Sequence, residues 1–396
     1  MTPSHRSIKY SMSKKFLFLT AALLAVILLS GCTGGSVRGN TWPGLSVSDD
    51  VAYLADGPFV YAVNVEDGTQ LWRYPEQRSA QLLFYTTPYV TSDGLIIVGS
   101  SGSDASLLAL KPNGNATPSL AWSYSDTKYH WVAAPLQIDD KLYAPNSDGN
   151  LYIFDLSDGQ TDKQPIEVIE LSTDLWAQPV TDGKNLYISA LDHSLIAVDK
   201  DTYQILWHED LGSAITSSPI LASDGNLYVG SFASNLEKFD PATGNHEAIQ
   251  KTTDWVWGTP SEVDNNLYFG DLSGNLYSYN IESGKNNWDV TTIPPDNWNP
   301  TDKKTVDEAK YTAITATPLM VNNMLLVATE SGAIYQVGQD GKHELWGGQE
   351  QQPGGKIYTT PVLAGDLVLV SPMNSDAFLY AYDLNGNRKW SFKPAN

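Results

Sequence analysis

The chain has 396 residues, with 24 lysine and arginine residues against 45 aspartate and glutamate residues, for a formal net charge of −21. This acidity argues against binding to nucleic acid or to anionic lipid head groups, since both need clustered cations. The single cysteine excludes a disulfide framework. We expect the charge to serve solubility, and attraction of a basic partner is the alternative.

An apolar segment begins shortly after the amino terminus. Residues 16–30, FLFLTAALLAVILLS, follow Lys14 and Lys15 and are too short for a spanning helix, which needs about 20 apolar residues. A basic start followed by a short apolar core is typical of a secretory signal peptide. The Leu-Ser-Gly-Cys that ends at Cys32 resembles a bacterial lipobox, which implies cleavage before Cys32 and acylation of that cysteine. We predict a signal peptide at 1–31, with Met12 as the true start.

Residues 32–41, CTGGSVRGNT, are predicted to form a lipidated flexible tether that reaches about 30 Å at most. Removal of the signal peptide takes away four basic residues and no acidic ones, which makes the mature charge −25. Thr33, rather than aspartate, follows the lipid-carrying cysteine. We therefore expect an exported lipoprotein in the outer membrane, facing the periplasm. In an organism with one membrane, it would lie on the outer face of the cytoplasmic membrane.

The rest of the chain repeats a short hairpin pattern. In NLYFGDLSGNLYSYN, residues 266–280, two aromatic-rich runs flank the turn sequence Leu-Ser-Gly-Asn. Related hairpins begin at Lys141, Asn185 and Asn226, and looser copies lie in the remaining repeats. A proline precedes each copy, at intervals of 40 to 58 residues, namely Pro43, Pro88, Pro135, Pro179, Pro219, Pro260, Pro318 and Pro361. This period, with about four strands per unit, predicts an all-β, eight-bladed β-propeller of four-stranded antiparallel blades at 42–396.

A tryptophan follows most of these prolines by 28 to 34 residues. We predict that these six tryptophans are structural and pack against the neighbouring blade: Trp72, Trp122, Trp207, Trp288, Trp346 and Trp390. The third and fifth blades have Ile and Val of IEVIEL and Ile249 instead. Their seams should therefore be the weakest.

The order of proline, hairpin, Asp-x-x-(Thr/Ser)-Gly turn and tryptophan resembles the PQQ-type propeller repeat with tryptophan-docking motifs. DPATG at 240–244, NIESGKNNW at 280–288 and DLNGNRKW at 383–390 carry the resemblance, which covers essentially the whole mature chain. WD40 and kelch repeats fit poorly. The family has an enzymatic branch of quinoprotein dehydrogenases. It also has a branch of non-enzymatic lipoproteins similar to BamB, a subunit of the machine that inserts β-barrels into bacterial outer membranes.

The enzymatic branch implies PQQ and Ca²⁺ as cofactors, and its alcohol-oxidising members stack the quinone on a disulfide between adjacent cysteines. This chain has one cysteine, already assigned to the lipid. No histidine pair has metal-ligand spacing, and no nucleophile motif lies in a suitable context. We therefore expect no catalytic residues, no metal and no cofactor, and the quinoprotein dehydrogenase remains the alternative.

Aromatic residues recur three or four positions before the repeat proline, where the chain returns to the innermost strand: Tyr85, Trp131, Trp176, Trp257 and Tyr358, with Trp255 nearby. We expect them to ring one mouth of the central channel and to bind a partner. The alternative is that they wedge between blades. A further alternative function is a sugar- or peptide-binding surface lipoprotein that uses this ring.

The longest interval holds an insertion at about 291–312, which includes Trp298 and a helical turn at TVDEAKY. Such a long loop is either functional or a plain disordered excursion. Taken together, the sequence predicts a monomeric, non-catalytic, lipid-anchored scaffold that binds protein partners in the bacterial envelope. Given the resemblance to BamB, the leading specific role is in outer-membrane protein assembly, with the β-barrel assembly machinery as partner.

Overall fold

The computed structural model describes residues 42–294 and 312–394. This part of the chain is built of β-strands, with one 3₁₀ turn at Gln349–Gln351. Within these residues, no helix combines the length and the apolar character needed to cross a membrane. The predicted signal peptide, the tether with Cys32, the turn at TVDEAKY and Trp298 lie outside the described residues, as does the insertion apart from 291–294 and 312.

The strands form eight antiparallel sheets, which are the blades, numbered here in chain order. Blades 1 to 4 contain the following strands: β1 Gly44–Ser48, β2 Val51–Asp56, β3 Phe59–Asn64, β4 Gln70–Tyr74; β5 Tyr89–Val90, β6 Ile96–Gly99, β7 Leu107–Asn113, β8 Ala116–Tyr124; β9 Leu136–Ile138, β10 Lys141–Pro145, β11 Asn150–Asp155, β12 Glu167–Glu170; β13 Val180–Thr181, β14 Asn185–Ser189, β15 Ser194–Asp199, β16 Ile205–Asp210.

Blades 5 to 8 contain the following strands: β17 Ile220–Leu221, β18 Leu227–Ser231, β19 Asn235–Phe239, β20 His246–Lys251; β21 Ser261–Val263, β22 Asn266–Gly270, β23 Asn275–Asn280, β24 Lys285–Asn286, with β25 Thr291–Thr292 beside β23; β26 Leu319–Val321, β27 Met324–Ala328, β28 Ile334–Val337, β29 His343–Leu345; β30 Val362–Ala364, β31 Leu367–Val370, β32 Leu379–Asp383, β33 Arg388–Phe392.

The eight-bladed prediction is confirmed, and each of the eight repeat prolines directly precedes the first strand of its blade. Every blade consists of consecutive strands, so no blade is shared between the two ends of the chain. Blade 8 instead meets blade 1 through packed side chains, and Trp390 Nε1 donates to Val65 O at 3.0 Å. The propeller therefore closes by side-chain packing and hydrogen bonds.

The hairpin at residues 266–280 shows how local sequence sets the blade geometry. β22 and β23 pair in register, and Gly274 takes the positive φ of +79° that the connecting turn requires. The carboxylate of Asp271 holds this turn, since its Oδ1 accepts from the backbone N–H of Ser273 and of Asn275 at 2.9 Å each. Asp271 is therefore a turn residue, which stabilises the connection between the two strands.

Both faces of each blade are buried, and alternate residues of one strand face different neighbours. In β2, Ala52 and Leu54 pack toward blade 8, whereas Tyr53 and Ala55 pack toward blade 2. Each of the eight seams between consecutive blades has its own buried apolar cluster. A single blade could not bury both faces, so the closed propeller is the stable unit.

The repeat tryptophans lie at the seams between their own blade and the next. Trp122 stacks on Phe154 of blade 3 with ring centroids 5.7 Å apart, and Trp207 stacks on Phe239 of blade 5 at 6.2 Å. Trp72, Trp122, Trp207 and Trp346 are buried, whereas Trp288 and Trp390 are partly buried. In blade 3, Ile169 occupies the seam toward blade 4, and in blade 5 Ile249 packs at the seam toward blade 6.

Candidate functional site

A cavity with a volume of about 420 Å³ lies on the propeller axis. All eight blades contribute to its wall, through the segment that leads into the first strand of each blade. Two positions supply most of the wall, namely the third and the first residue before the repeat proline. These two positions lie two residues apart, and side chains two residues apart on an extended chain point the same way. Both therefore face the cavity.

We call the third position the aromatic tier: Tyr85, Val132, Trp176, Thr216, Trp257, Thr315 and Tyr358. The eighth member, residue 40, lies outside the described residues. We call the first position the hydroxyl tier: Trp42, Thr87, Ala134, Gln178, Ser218, Thr259, Thr317 and Thr360. Aromatic and hydroxyl-bearing side chains thus face the same space.

The fourth position before the proline faces the opposite way, into the seams. Its residues are apolar and at most 1% exposed: Phe84, Trp131, Leu175, Ile215, Val256, Ile314 and Ile357. Gly99 and Gly230 leave room for two of them, because a Cβ on these glycines would lie 2.4 Å from Trp131 and 2.1 Å from Val256. The fourth position therefore anchors the loop and does not contact the cavity.

The structure brings together four of the five aromatic residues predicted to ring the channel mouth. Tyr85, Trp176, Trp257 and Tyr358 line one cavity and are each half-buried. Trp131 corrects the prediction. It belongs to the fourth position, its ring is fully buried, and its Nε1 donates to Ala105 O at 3.2 Å. A shift of one residue reverses the facing of a side chain on an extended segment, and in blade 3 Val132 takes the place on the wall.

An aromatic stack stands beside the aromatic tier at blades 5 and 6. Phe232 stacks on Trp255 with ring centroids 4.4 Å apart, and it contacts the tilted ring of Trp257 at 5.5 Å. Trp255 is 45% exposed, although its backbone O accepts from Leu272 N at 3.0 Å and the adjoining Val256 is fully buried. The loop is thus anchored while the face of an aromatic side chain remains open to solvent. Phe232 comes from a different turn, so its proximity to the two tryptophans was not predicted from the sequence.

The wall of the cavity is electrically neutral. No lysine, arginine, histidine, aspartate or glutamate of the described residues lines it. Burial raises the pKa of Tyr85, and burial followed by a hydrogen bond to Glu330 raises the pKa of Tyr358, so both phenols stay protonated. Glu330 and Lys356 form an ion pair beside the cavity, and Tyr358 OH donates to Glu330 Oε1 at 2.8 Å. This contact fixes the orientation of the Tyr358 ring.

The cavity does not suit the cofactor of the enzymatic branch. PQQ is a tricarboxylic quinone, so a site for it needs cationic side chains or a metal ion held by oxygen ligands. Neither cationic nor carboxylate side chains of the described residues line the wall. Within 42–294 and 312–394, no group of three histidine, cysteine, aspartate or glutamate residues has the geometry to hold a metal ion. We therefore derive no reaction through PQQ.

Sequence comparison places the chain in a known family. The family profile described as outer membrane protein assembly factor BamB matches residues 30–250 and 274–396. The chain belongs to the BamB family. This match confirms the family resemblance noted in the sequence, because it covers the repeats on both sides of residues 251–273.

Two curated relatives are outer membrane protein assembly factors named BamB. The one from Shewanella oneidensis is 28% identical over 251 residues, which cover 58% of this chain and 59% of the relative. The one from Francisella salina is 26% identical over 160 residues, which cover 38% of this chain and 30% of the relative. The matched regions thus span less than two thirds of either relative.

Solved structures share the architecture at low sequence identity. BamB from Moraxella catarrhalis superposes with a TM-score of 0.63 at 16% identity, covering 91% of this chain and 98% of that one. The computationally designed Ika8 protein gives 0.63 at 13% identity, with 90% and 98% covered, and Saccharomyces cerevisiae Sqt1 gives 0.64 at 12%, with 91% and 97% covered. At these identities the likeness concerns the fold alone.

Proposed function

We propose that this protein is a non-catalytic, lipid-anchored scaffold that binds protein partners during outer-membrane protein assembly in a bacterial envelope. The observation that carries the proposal is the match to the BamB family over nearly the whole chain. The curated relatives in Shewanella and Francisella bear the name of an assembly factor, which supports this role. A cavity wall without acids, bases or cations supports binding rather than catalysis.

We also propose how the protein is held at a membrane and where it lies. Cys32 ends a lipobox-like sequence, so acylation there would hold the propeller near a membrane by a tether of residues 32–41. We place the protein in the outer membrane on the periplasmic side. It would act as a monomer and without PQQ, Ca²⁺ or nucleic acid. The net charge of −21 supports a protein partner with a basic surface.

The partner would dock on the aromatic stack of Phe232, Trp255 and Trp257. Binding energy in protein interfaces concentrates in a few aromatic anchors on rigid elements. The stack combines an exposed tryptophan face with an anchored loop, since Thr216 Oγ1 donates to Trp257 O at 3.1 Å. Tyr85, Trp176 and Tyr358 stand around the same mouth and extend this surface.

Photo-crosslinking in native membranes tests the proposal. A benzophenone amino acid at position 255 would contact the partner, whereas the same group at Leu206 would not. Leu206 is 50% exposed but lies in the outermost strand of blade 4. We expect position 255 to yield adducts with a subunit of the β-barrel assembly machinery, identified by mass spectrometry. Adducts with that machinery from position 206 alone, or from neither position, would contradict the proposed docking surface.

Affinity measurements give a second test of the same surface. Truncation of an aromatic anchor costs about 2 kcal/mol or more, and about 1.4 kcal/mol is a tenfold change in affinity. We therefore expect Trp257→Ala to weaken capture of the partner at least tenfold, and Leu206→Ala to leave it unchanged. A Trp257→Ala protein that keeps its melting temperature and still captures the partner normally would exclude this residue as an anchor.

A further inference from the structure

The aromatic tier alternates around the propeller axis. Tyr85, Trp176, Trp257 and Tyr358 come from blades 2, 4, 6 and 8, whereas blades 3, 5 and 7 supply valine or threonine. In a closed order of eight blades, blade 2 lies across the axis from blade 6, and blade 4 from blade 8. Any molecule on the axis therefore has an aromatic side chain on each of four sides, with valine or threonine between them at blades 3, 5 and 7.

Hydroxyl side chains stand beside these aromatic faces. Thr87 is exposed, and Thr259 and Thr317 are partly exposed. The cavity thus offers accessible polar atoms next to accessible rings, which points to a small ligand with both polar and apolar surface.

The chemistry of the wall restricts that ligand. Because the wall holds no charged side chain and the protein is strongly acidic, an anion gains nothing there and is repelled at a distance. Half-buried aromatic faces favour a ligand with a flat apolar surface. The hydroxyl tier adds Thr87, Thr259 and Thr317, whose oxygens can both donate and accept.

We propose that the axial cavity binds a neutral saccharide. A pyranose ring has an apolar C–H face that stacks on Trp176 or Trp257, and its hydroxyls donate to and accept from Thr259 and Thr317. The volume of about 420 Å³ lies within the range of about 300 to 1,000 Å³ usual for small-molecule sites. This activity goes beyond the proposed scaffold function and does not depend on it.

Direct binding to the whole mature protein in detergent tests the proposal. The probes are chitotriose and maltotriose as neutral sugars, trigalacturonate as an anionic sugar, and a blocked neutral tetrapeptide. We expect at least one neutral trisaccharide to change the tryptophan fluorescence and to give a saturable calorimetric titration, whereas trigalacturonate and the peptide do neither. Binding of the peptide or of trigalacturonate without either neutral sugar would overturn the proposal, as would a lack of binding by all four probes.

Variants of the hydroxyl tier separate a site residue from a structural one. Thr259→Val and Thr317→Val should each weaken saccharide binding about tenfold. Because both side chains are partly exposed, the melting temperature should hardly change. Thr202→Val is the matched control, since Thr202 is exposed in the turn between β15 and β16 and does not line the cavity. Unchanged saccharide affinity in both Thr259→Val and Thr317→Val would overturn the assignment.

Discussion

Trp207 of blade 4 packs directly against Gly244 in the turn of blade 5. A Cβ on Gly244 would lie 2.9 Å from Cδ2 and 3.0 Å from Cγ of the indole, and Trp207 Nε1 donates to Pro241 O at 2.9 Å. Trp390 of blade 8 meets Gly68 of blade 1 in the same way. The tryptophan of one blade thus packs on the glycine in the turn of the next blade. This contact explains why the two residues recur together.

The first prediction concerns this contact. Gly244 and Gly225 both lie in blade 5 with positive φ, +77° and +80°, but nothing lies within 4 Å of a Cβ on Gly225. An alanine at either position pays about 1 to 2 kcal/mol for the left-handed conformation. Gly244→Ala should lose about 1 to 3 kcal/mol more, because the methyl group displaces the indole. Urea unfolding of both variants gives the comparison. Equal losses in the free energy of unfolding would show that the contact with the indole does not add to the cost of an alanine at position 244.

The second prediction compares two repeat tryptophans, of which only one has a hydrogen-bond acceptor for its indole N–H. Trp288 Nε1 is buried and has no acceptor among the described residues, whereas Trp207 Nε1 is bonded to Pro241 O. Trp207→Phe leaves a carbonyl unpaired, but Trp288→Phe removes an unpaired donor. The free energy of unfolding should therefore fall by about 1 to 3 kcal/mol more for Trp207→Phe. A larger loss for Trp288→Phe would show that its indole nitrogen has a partner.

The third prediction tests the register of the loops before the first strands. Trp131 is fully buried in the seam between blades 2 and 3, whereas Trp176 is half-buried in the cavity wall. Trp131→Ala should cost about 3 to 5 kcal/mol, and Trp176→Ala a smaller amount, on the order of 1 kcal/mol. Thermal and urea unfolding of the two variants give the comparison. Similar losses would mean that the third and fourth positions do not differ in burial.

The fourth prediction concerns the lipid anchor, which lies outside the described residues. Cys32→Ser removes the only thiol of the chain. The variant should fold with an unchanged melting temperature but no longer incorporate labelled palmitate or partition into a detergent phase. If the variant stays with the membrane after a high-salt wash, the protein is held there by something other than acylation of Cys32.

The fifth prediction concerns alkaline stability. Burial raises the pKa of Tyr187 from 10.0 to about 12, and its OH donates to Asp182 Oδ2 at 2.8 Å. Between these two values the unfolded phenol has lost its proton and the folded one has not. The protonated Tyr187 phenol therefore contributes its full share to the free energy of unfolding below pH 10. This share is lost as the pH rises toward 12. Urea midpoints across this window should fall less steeply for Tyr187→Phe, and parallel slopes would contradict the shift.

The sequence was sufficient for the blades because their contacts are local. In the hairpin of Asn266–Gly270 and Asn275–Asn280 the partners are joined by four residues, and Asp271 and Gly274 set the turn. Each repeat proline marks the entry to a first strand, and each repeat tryptophan marks a seam. A pattern that recurs eight times therefore determined the blade number, the topology and the closed core.

Only the tertiary structure decided which side chains share the axis. The third and fourth positions before the proline both looked suitable in sequence, but Trp131 faces a seam while Val132 faces the cavity. That choice depends on how eight distant segments converge around one axis, which no single repeat encodes. The contacts of Phe232 with Trp255 and Trp257 arise in the same way. The propeller follows from contacts within and between neighbouring repeats, whereas its cavity follows from contacts among all of them.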